Sequence, residues 1–560
     1  MGNAHDPVET MKQAALSRRQ FLRRIGLAGA GLAALPILAA CGGAATATTA
    51  PAPSVAPAAS AAASASARPS TAASASGSAS ASAASSAAGS ATARPSTAAS
   101  ASASASGSAP AASGSAAASA APPTPTVISG IPRAKSSAKI NTAKYQFIQN
   151  QDFHPDHNAF LRTEIVEFCK VQGWALDISY AAGFQGTSDL LSALTAAVQA
   201  GSAPDAFFQD IGVRQYEFQG VLEDTDALAK EAIAKYGETY PGFRESTFIK
   251  DKWYGVPFHG RAGGAYIRED WFKEAGLDPI KDTATFDKMR ESALKISDPD
   301  KKRWGWGMTV NRSGDGNSNM QTPLLRYGMT LQDETGQLIK FNSPQTIAGY
   351  KWLKETYSDK KWEKMWPAGL LSWSDTSNNE AFLAGTIGIT DNAGTMYAKA
   401  VFDKVPHAKD ILFVPRPTRV SDGKYLDSMA GARLHIVKGS KNKDASADLF
   451  RHLISDPIIK QLLAISPAYV LPAYKNLWSD PLVQNDRNAK AAQPIAYPDP
   501  YFPGLRFPGP ASAAVDAVGG GTYLTDSMAE VLKGTPIEDV VKDYHNRFIQ
   551  LWKDFGFKGA

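Results

Sequence analysis

Polar side chains follow two short apolar segments of this 560-residue chain. Asp152 and His154 come shortly after residues 145–148, and Asp210 comes after residues 206–208. If both segments are parallel strands of an open sheet, their carboxyl ends lie at one edge, where such sheets bind ligands. Carboxylate and imidazole groups placed there can hydrogen-bond hydroxyl groups. These residues predict a binding site; the alternatives are a turn or cap aspartate at 210 and a solvated loop histidine at 154.

The segments around these residues predict the sheet that positions them. Apolar residues between 161 and 169 recur at helical spacing before Gly173, and those between 190 and 198 do so before Gly201. Residues 176–180 alternate between apolar and polar side chains, which is typical of a strand. The order strand, helix, strand, helix, strand predicts an α/β fold with an open parallel sheet.

Cys41 has the surroundings of a cysteine that becomes lipidated. It directly follows Leu38-Ala39-Ala40, at the end of an uncharged run that begins at Ile25. As a helix that run spans about 24 Å at ~1.5 Å per residue, which is shorter than a ~30 Å hydrocarbon core. The paired Arg18 and Arg19 before it resemble a twin-arginine export signal. We therefore predict a lipoprotein signal peptide and lipidation of the Cys41 thiol.

A low-complexity segment separates this signal from the rest of the chain. Residues 42–126 are almost entirely Ala, Ser, Thr, Pro and Gly, which bury too little apolar surface to offset the entropy of ordering. We predict a signal peptide over residues 1–40, a disordered tether over 41–138 and a folded domain over 139–558. The lipid would then hold the folded domain outside the cytoplasmic membrane, on the cell surface or the periplasmic side.

The charge of the exported part is nearly balanced. Without the first forty residues, 53 basic and 51 acidic side chains remain, and no run of lysine or arginine stands out. We therefore expect no nucleic-acid partner. Cys169 is the only cysteine after Cys41, which excludes an internal disulfide in the folded part and a cysteine metal site. Its helical spacing with Ile165 and Phe168 predicts a buried small hydrophobe.

Five segments of the folded part resemble the extracellular solute-binding proteins of sugar-type ABC importers, the maltose-binding-protein-like family 1. They occur in the order found in that family, behind a lipidation motif. The segments are 194–210, with its turn Gly201-Ser202-Ala203-Pro204-Asp205, then 251–258, 271–279, 379–389 and 431–450.

The resemblance implies a two-lobed periplasmic-binding-protein-like fold of type II, in which hinge-connected open sheets are flanked by helices. It places lobe 1 at about 139–257 plus 392–428 and lobe 2 at about 258–391 plus 429–558. It also implies a monomeric substrate-binding lipoprotein that captures a sugar or oligosaccharide by hinge closure. Its partners would be that solute and the membrane permease subunits of an ABC import system.

The resemblance adds residues to the predicted binding site, because they lie where the family has lobe crossings and ligand-contacting loops. These residues are Phe258, His259, Trp373, Asp391, Asn392, Met396 and Arg433. The family often carries a tryptophan in the loop after residue 389, which this chain lacks, so Trp373 is the candidate for stacking on a sugar. Core packing is the alternative for Phe258 and Trp373, and a structural ion pair is the alternative for Arg433.

Two other functions fit the sequence: a surface-anchored glycoside hydrolase and a tethered adhesin or scaffold. A glycoside hydrolase needs only paired carboxylates, which have no short signature. The chain has no Gly-x-Ser-x-Gly, His-Glu-x-x-His, phosphate-loop or Cys-x-x-Cys motif. We therefore expect no enzyme, no catalytic residue and no cofactor. Residues 314–319 offer oxygen ligands but lack the twelfth-position glutamate of a calcium loop, so we expect no metal site.

Overall fold

A computed structural model describes residues 130–182, 188–417, 429–498 and 501–560 of the chain. The predicted signal peptide, the predicted lipidation site Cys41 and most of the predicted tether lie outside the described residues. None of the helices within those four ranges combines the length and the apolar character that a membrane span requires.

The secondary structure alternates strands and helices along most of the described chain. The strands are β1 (Tyr145–Gln151), β2 (Leu176–Ala182), β3 (Ala206–Gln209), β4 (Phe248–Ile249), β5 (Lys252–Trp253), β6 (Val256–Arg261), β7 (Gly264–Arg268), β8 (Trp304–Trp306), β9 (Ile387–Asn392), β10 (Ile411–Val414), β11 (Ala430–Ile436) and β12 (Leu471–Pro472). The helices are α1 (Pro155–Gln172), α2 (Ser188–Gln199), α3 (Val213–Phe218), α4 (Asp226–Tyr236), α5 (Pro241–Thr247), α6 (Glu269–Glu274), α7 (Phe286–Ile296), α8 (Gly314–Arg326), α9 (Pro344–Ser358), α10 (Ser377–Leu383), α11 (Thr395–Phe402), α12 (Lys443–Leu453), α13 (Asp456–Ile465), α14 (Pro481–Gln484), α15 (Arg487–Ala496), α16 (Ala513–Gly519), α17 (Tyr523–Leu532) and α18 (Ile537–Asp554).

The first lobe is built on a six-stranded sheet with the order β12-β6-β11-β3-β1-β2. β1 pairs in parallel with β2 and β3, as expected for strands joined by helices. All four residues of β3 are buried, which is typical of a strand whose sheet is covered on both faces. The predicted order of strands and helices in this region is confirmed. Gly173 ends α1 where predicted, with a φ of 76°.

The second lobe is built on a four-stranded sheet with the order β10-β7-β9-β8. β7 pairs antiparallel with β9 and β10, and β8 pairs in parallel with β9. Its core contains large aromatic side chains, including Trp306 from β8, Trp352 from α9 and Trp552 from α18. Residues of α16, α17 and α18 belong to the same core, so the carboxyl-terminal segment from residue 501 packs with the second lobe.

The chain changes lobes differently from the sequence prediction. β10 lies in the second sheet beside β7, although residues 392–428 had been predicted in lobe 1. β11 lies in the first sheet between β3 and β6, although residues 429–558 had been predicted in lobe 2. β11 joins the first lobe because it pairs antiparallel with β3, a strand of that lobe that lies far earlier in the chain. Such a non-local pairing leaves no trace in local periodicity.

Residues 131–138, predicted as part of the tether, run along the first lobe. Ile131 is buried, and Arg133 Nη2 lies 2.8 Å from Glu164 Oε1 on α1. The backbone N–H of Ser136 donates to Gln172 Oε1 at 2.8 Å. The folded part therefore begins before the predicted boundary at residue 139. The boundary predicted from composition is too late, because only a few side chains of this polar segment contact the first lobe. So few contacts do not change the overall composition of the segment.

Candidate functional site

A cavity of about 800 Å³ lies between the two lobes, at the carboxyl end of β3. The first lobe lines it with residues after β3 and along α5. The second lobe lines it with the start of α8, the loop before α10, Arg416 and the segments on either side of α16. The polar and charged lining residues include Asp210, Arg214, Glu245, Ser246, Ser313, Asn317, Ser318, Asp375, Arg416, Tyr501, Arg506 and Asp516.

An ion pair fixes the carboxylate on the first-lobe wall of the cavity. Asp210 directly follows β3, and its Oδ1 lies 2.9 Å from Nη1 of Arg433 on β11. Arg433 is 1% exposed and also donates to Thr247 Oγ1 at 2.7 Å and to the Gly431 carbonyl at 2.8 Å. The Asp210 side chain keeps 34% of its exposure. Arg433 thus orients the Asp210 carboxylate from the buried side. Asp210 Oδ2 is left to accept a hydrogen bond from a ligand.

An amide side chain faces the cavity from the second lobe. Asn317 lies in the first turns of α8, whose amino terminus is capped by Ser313 Oγ accepting from the Gly316 N–H at 2.9 Å. Asn317 is 4% exposed and its Nδ2 donates to the Gly519 carbonyl at 2.7 Å. Its Oδ1 has no hydrogen-bond partner within the described part of the chain. A buried amide oxygen without a partner is costly, so this atom suits a ligand donor.

Two aspartates beside Asn317 differ from ordinary carboxylates. Asp375 Oδ1 accepts from the backbone N–H of Asp315 at 2.7 Å. Burial, and the neighbouring charge of Asp375, raise the pKa of Asp315 to about 8. Burial also raises the pKa of Asp375. Asp315 is therefore largely protonated at neutral pH, and Asp375 is the one of the two that lines the cavity.

Asp391 lies behind an arginine of the lining. Arg416 Nε donates to Asp391 Oδ2 at 2.7 Å and Arg416 Nη2 donates to Asp391 Oδ1 at 2.6 Å. This bidentate pair fixes the orientation of the guanidinium, which lines the cavity. Arg416 Nη2 also lies 3.2 Å from Ser318 Oγ. Asp391 therefore acts on the cavity through Arg416, a residue that the sequence analysis did not select.

The charges of the lining are mostly paired within the protein. The ion pairs are Arg312–Asp526, Arg416–Asp391, Arg506–Glu245 and Asp210–Arg433. Tyr501 is the one aromatic residue among the described residues of the lining. The surface therefore offers hydroxyl, amide and charge-paired groups, which suit a neutral polar ligand better than a strongly charged one.

Asp152 and His259 do not line the cavity and belong to a buried polar network in which His157 lies between them. Asp152 Oδ2 lies 3.3 Å from Arg261 Nη2 and 3.8 Å from His157 Nε2. Burial on its own would raise the pKa of Asp152, but the charge of Arg261 and neighbouring donors hold it below its usual value. The His157 and His259 rings pack edge to face at 5.7 Å. Burial lowers the pKa of His157 to about 3.

The structure places four other predicted site residues away from the cavity. His154 is fully buried and its Nε2 lies 3.0 Å from the Ile465 carbonyl. Phe258 and Met396 belong to the hydrophobic core. Asn392 Nδ2 donates to Asn379 Oδ1 at 2.6 Å, and its Oδ1 accepts from the Gly394 N–H at 2.9 Å. These side chains are used by packing or by local hydrogen bonds, which is why they do not reach the cavity.

Trp373 lies beside the lining without being part of it. It is half-buried and packs against both hydrophobic cores, while Ser374 and Asp375, which follow it, line the cavity. Sequence reasoning missed Ser313, Asn317 and Ser318, because residues 314–319 had been considered only as a calcium loop. The available signal was the serine before a glycine-rich helix start, which is typical of an amino-terminal cap. Within the described ranges, no group of three or more acidic, histidine or cysteine side chains is arranged to hold a metal ion.

The chain is similar to proteins of known family and structure. The profile of the family described as bacterial extracellular solute-binding protein matches residues 167–458, just over half of the chain. A comparison with curated proteins finds no match.

Among solved structures, the fold is similar to maltose-bound MalE3 of T. maritima, with 20% identity and a TM-score of 0.60 over 72% of this chain and 99% of that chain. An ABC transporter solute-binding protein from Thermotoga lettingae, bound with α-D-tagatose, is 18% identical, with a TM-score of 0.59 over 73% of this chain and 98% of that chain. One from Agrobacterium radiobacter K84, in complex with ribitol, is 17% identical, with a TM-score of 0.61 and the same coverage. With this profile match, two sheets that form two lobes and a cavity between them, the chain belongs to the family of bacterial extracellular solute-binding proteins.

Proposed function

We propose that this protein captures a sugar or oligosaccharide between its lobes and delivers it to the permease of an ABC import system. The observation that carries this proposal is the cavity of about 800 Å³, whose walls come from both lobes and are lined with paired charges, hydroxyls and amides. Neutral polyhydroxylated molecules match such a lining. The relatives bound with maltose, tagatose and ribitol support the same class of ligand.

Recognition would work by bridging the two walls. Asp210 offers a carboxylate oxygen from the first lobe, and Asn317 offers an amide oxygen without a protein partner from the second. A ligand whose hydroxyl groups reach both residues stabilises the closed arrangement by its differential affinity for it. The closed, ligand-bound form is therefore the one that a membrane permease would recognise.

We further propose that the protein is a lipoprotein held outside the cytoplasmic membrane. The support is the sequence: Cys41 directly after an apolar run, paired arginines before that run, and a long low-complexity segment after it. Cys41→Ser should release the protein from washed membranes into the soluble fraction. Replacing Arg18 and Arg19 together by lysine should leave it unexported. Unchanged membrane association of both variants would contradict the lipid anchor and the twin-arginine route.

Thermal unfolding of the full chain against a panel of solutes tests the binding proposal. The panel contains maltose, tagatose, ribitol and longer neutral oligosaccharides, with a polyamine and glycerol phosphate as controls. A ligand at about 100 times its Kd adds ~2.7 kcal/mol to the folded state, which raises the midpoint by several degrees. A higher unfolding midpoint with a neutral sugar supports the proposal. A higher midpoint with only the charged controls would contradict the proposal that the ligand is a sugar.

The same samples separate binding from catalysis. We expect no sugar product after prolonged incubation, because the matching family is described as solute-binding and the two proposed contacts, Asp210 and Asn317, supply a single carboxylate where a glycoside hydrolase needs a pair. Chromatography of the incubated oligosaccharides is the measurement. Release of shorter sugars would favour a glycoside hydrolase, and the absence of any shift across the panel would favour an adhesin or scaffold.

A further inference from the structure

Asp516 of the second lobe caps a helix of the first lobe. α3 begins after Gly212, which has no side chain to cap the free backbone N–H groups of the first turn. The backbone N–H of Arg214 instead donates to Asp516 Oδ2 at 3.0 Å. Asp516 lies on α16, whose apolar residues belong to the core of the other lobe, so this hydrogen bond joins the two lobes at the cavity wall.

The closeness of this contact depends on glycine at position 212. A Cβ atom on Gly212 would lie 2.9 Å from Asp516 Cβ and 3.2 Å from Asp516 Cγ. The φ of Gly212 is −71°, which any residue can adopt. The three atoms nearest to such a Cβ all belong to Asp516, so a side chain at 212 would collide first with the second lobe.

Other contacts cross between the lobes next to Asp516. Arg506 of the second lobe forms an ion pair with Glu245 of α5. The rings of Phe218 at the end of α3 and Phe555 after α18 lie 4.9 Å apart. These contacts, together with the cap, connect the first lobe around α3 and α5 to the second lobe.

The charges that face Asp516 are mainly positive. Arg214 on α3 and Arg433 on β11 act on it directly, and Glu245, Glu217 and Arg506 surround Arg214. Burial raises the pKa of Asp516 from 3.8 to about 6, although Arg214 and two backbone N–H groups act to lower it.

We propose that the Gly212–Asp516 contact sets the equilibrium between open and closed lobes in the absence of ligand, and that acidification shifts this equilibrium towards the closed form. When the lobes open, the Asp516 carboxylate becomes solvated and its pKa returns towards 3.8. The closed form then binds the proton more tightly than the open form, so a falling pH favours closure. Between pH 7.5 and pH 5.5 the ratio of closed to open form should rise about fourfold.

Hydrogen–deuterium exchange of the full chain, without ligand, tests this proposal at pH 7.5 and pH 5.5, after correction for the intrinsic exchange rate. The readout is the protection of a peptide that contains α3. In the wild type, protection should rise about fourfold at the lower pH. Gly212→Ala should lower it at both pH values, because the lobes cannot approach. Asp516→Asn should remove the pH dependence, because the amide does not titrate.

Two controls keep the result specific. Asp486→Asn alters a cap within one lobe, where Asp486 Oδ1 accepts from the N–H groups of Asn488 and Ala489, and it should leave α3 unchanged. A peptide from α7, inside the second lobe, reports global unfolding. The proposal is overturned if Gly212→Ala leaves the protection of α3 intact, or if Asp516→Asn keeps the wild-type pH dependence. Because no ligand is present, this outcome is separate from the identity of the solute.

Discussion

Arg433 reaches from the middle of the first sheet to Asp210, and the 2.9 Å contact between Nη1 and Oδ1 joins a buried structural residue to a cavity residue. The two members of the pair differ in exposure, 1% for the Arg433 side chain and 34% for that of Asp210. Substitutions on the two sides should therefore have different consequences.

Arg433→Met should lower the free energy of unfolding by about 2–4 kcal/mol, because the Thr247 hydroxyl and the Gly431 carbonyl lose a buried donor. Asp210→Asn should cost less, about 1–2 kcal/mol, because the amide oxygen can still accept from Arg433, although the buried guanidinium loses its counter-charge. Urea denaturation measures both values. An equal loss of unfolding free energy in the two variants would contradict the interpretation that Arg433 is a structural residue and Asp210 a binding residue.

Asn317→Ala should weaken binding of the sugar that gives the largest thermal shift by about tenfold, since it removes an acceptor from the cavity wall. Isothermal titration calorimetry gives the Kd. The matched control is Asn319→Ala on the same helix, where Nδ2 donates to the Thr309 carbonyl at 2.8 Å outside the cavity lining. Asn319→Ala should reduce stability and leave the Kd unchanged. An effect of the same size from both variants would show that Asn317 acts only through folding.

The buried histidines predict a loss of stability in acid. Burial lowers the pKa of His157 and of His435 to about 3 in the folded protein, against about 6.5 when unfolded. Below pH 6.5 the unfolded chain binds more protons, so the free energy of unfolding should fall by about 1.4 kcal/mol per pH unit for each histidine. This loss should continue as the pH falls towards 3 and be absent above 7.

His157→Gln tests the contribution of one histidine. Glutamine is neutral at every pH and can still reach Ser466 Oγ, which lies 3.1 Å from His157 Nδ1. Urea denaturation at pH 7, 6 and 5 should give a total loss between pH 7 and pH 5 that is smaller than that of the wild type by about 2 kcal/mol, because the unfolded histidine is only partly protonated near pH 6.5. An unchanged loss would mean that His157 is protonated in the folded state.

Cys169 should be inert in the folded protein. It is 1% exposed, and burial raises the pKa of its thiol to about 12. In a Cys41→Ser chain, a thiol reagent at pH 8 should therefore react with Cys169 only after denaturant is added. Rapid stoichiometric labelling of the native chain would contradict the packing of α1 against the first sheet.

Local patterns in the sequence were enough to predict β1, β2, β3, α1 and α2 and the carboxylate Asp210 beyond β3. Hydrophobic periodicity reports which face of a segment is buried, and the carboxyl ends of parallel strands share one edge. The motif order was enough for the two-lobed fold and the family. The anchor at Cys41 stays a prediction of the sequence.

Only the tertiary structure decided which sheet β11 joins and which residues form the cavity wall opposite Asp210. β11 pairs with β3, and Asn317 hydrogen-bonds Gly519, between segments that lie far apart in the chain. His154 was expected in a cleft loop and is buried instead against the Ile465 carbonyl and the ring of Phe402. Which polar residue meets solvent, and which meets another segment, depends on distant parts of the chain, because burial is a property of the packed molecule and not of the local sequence.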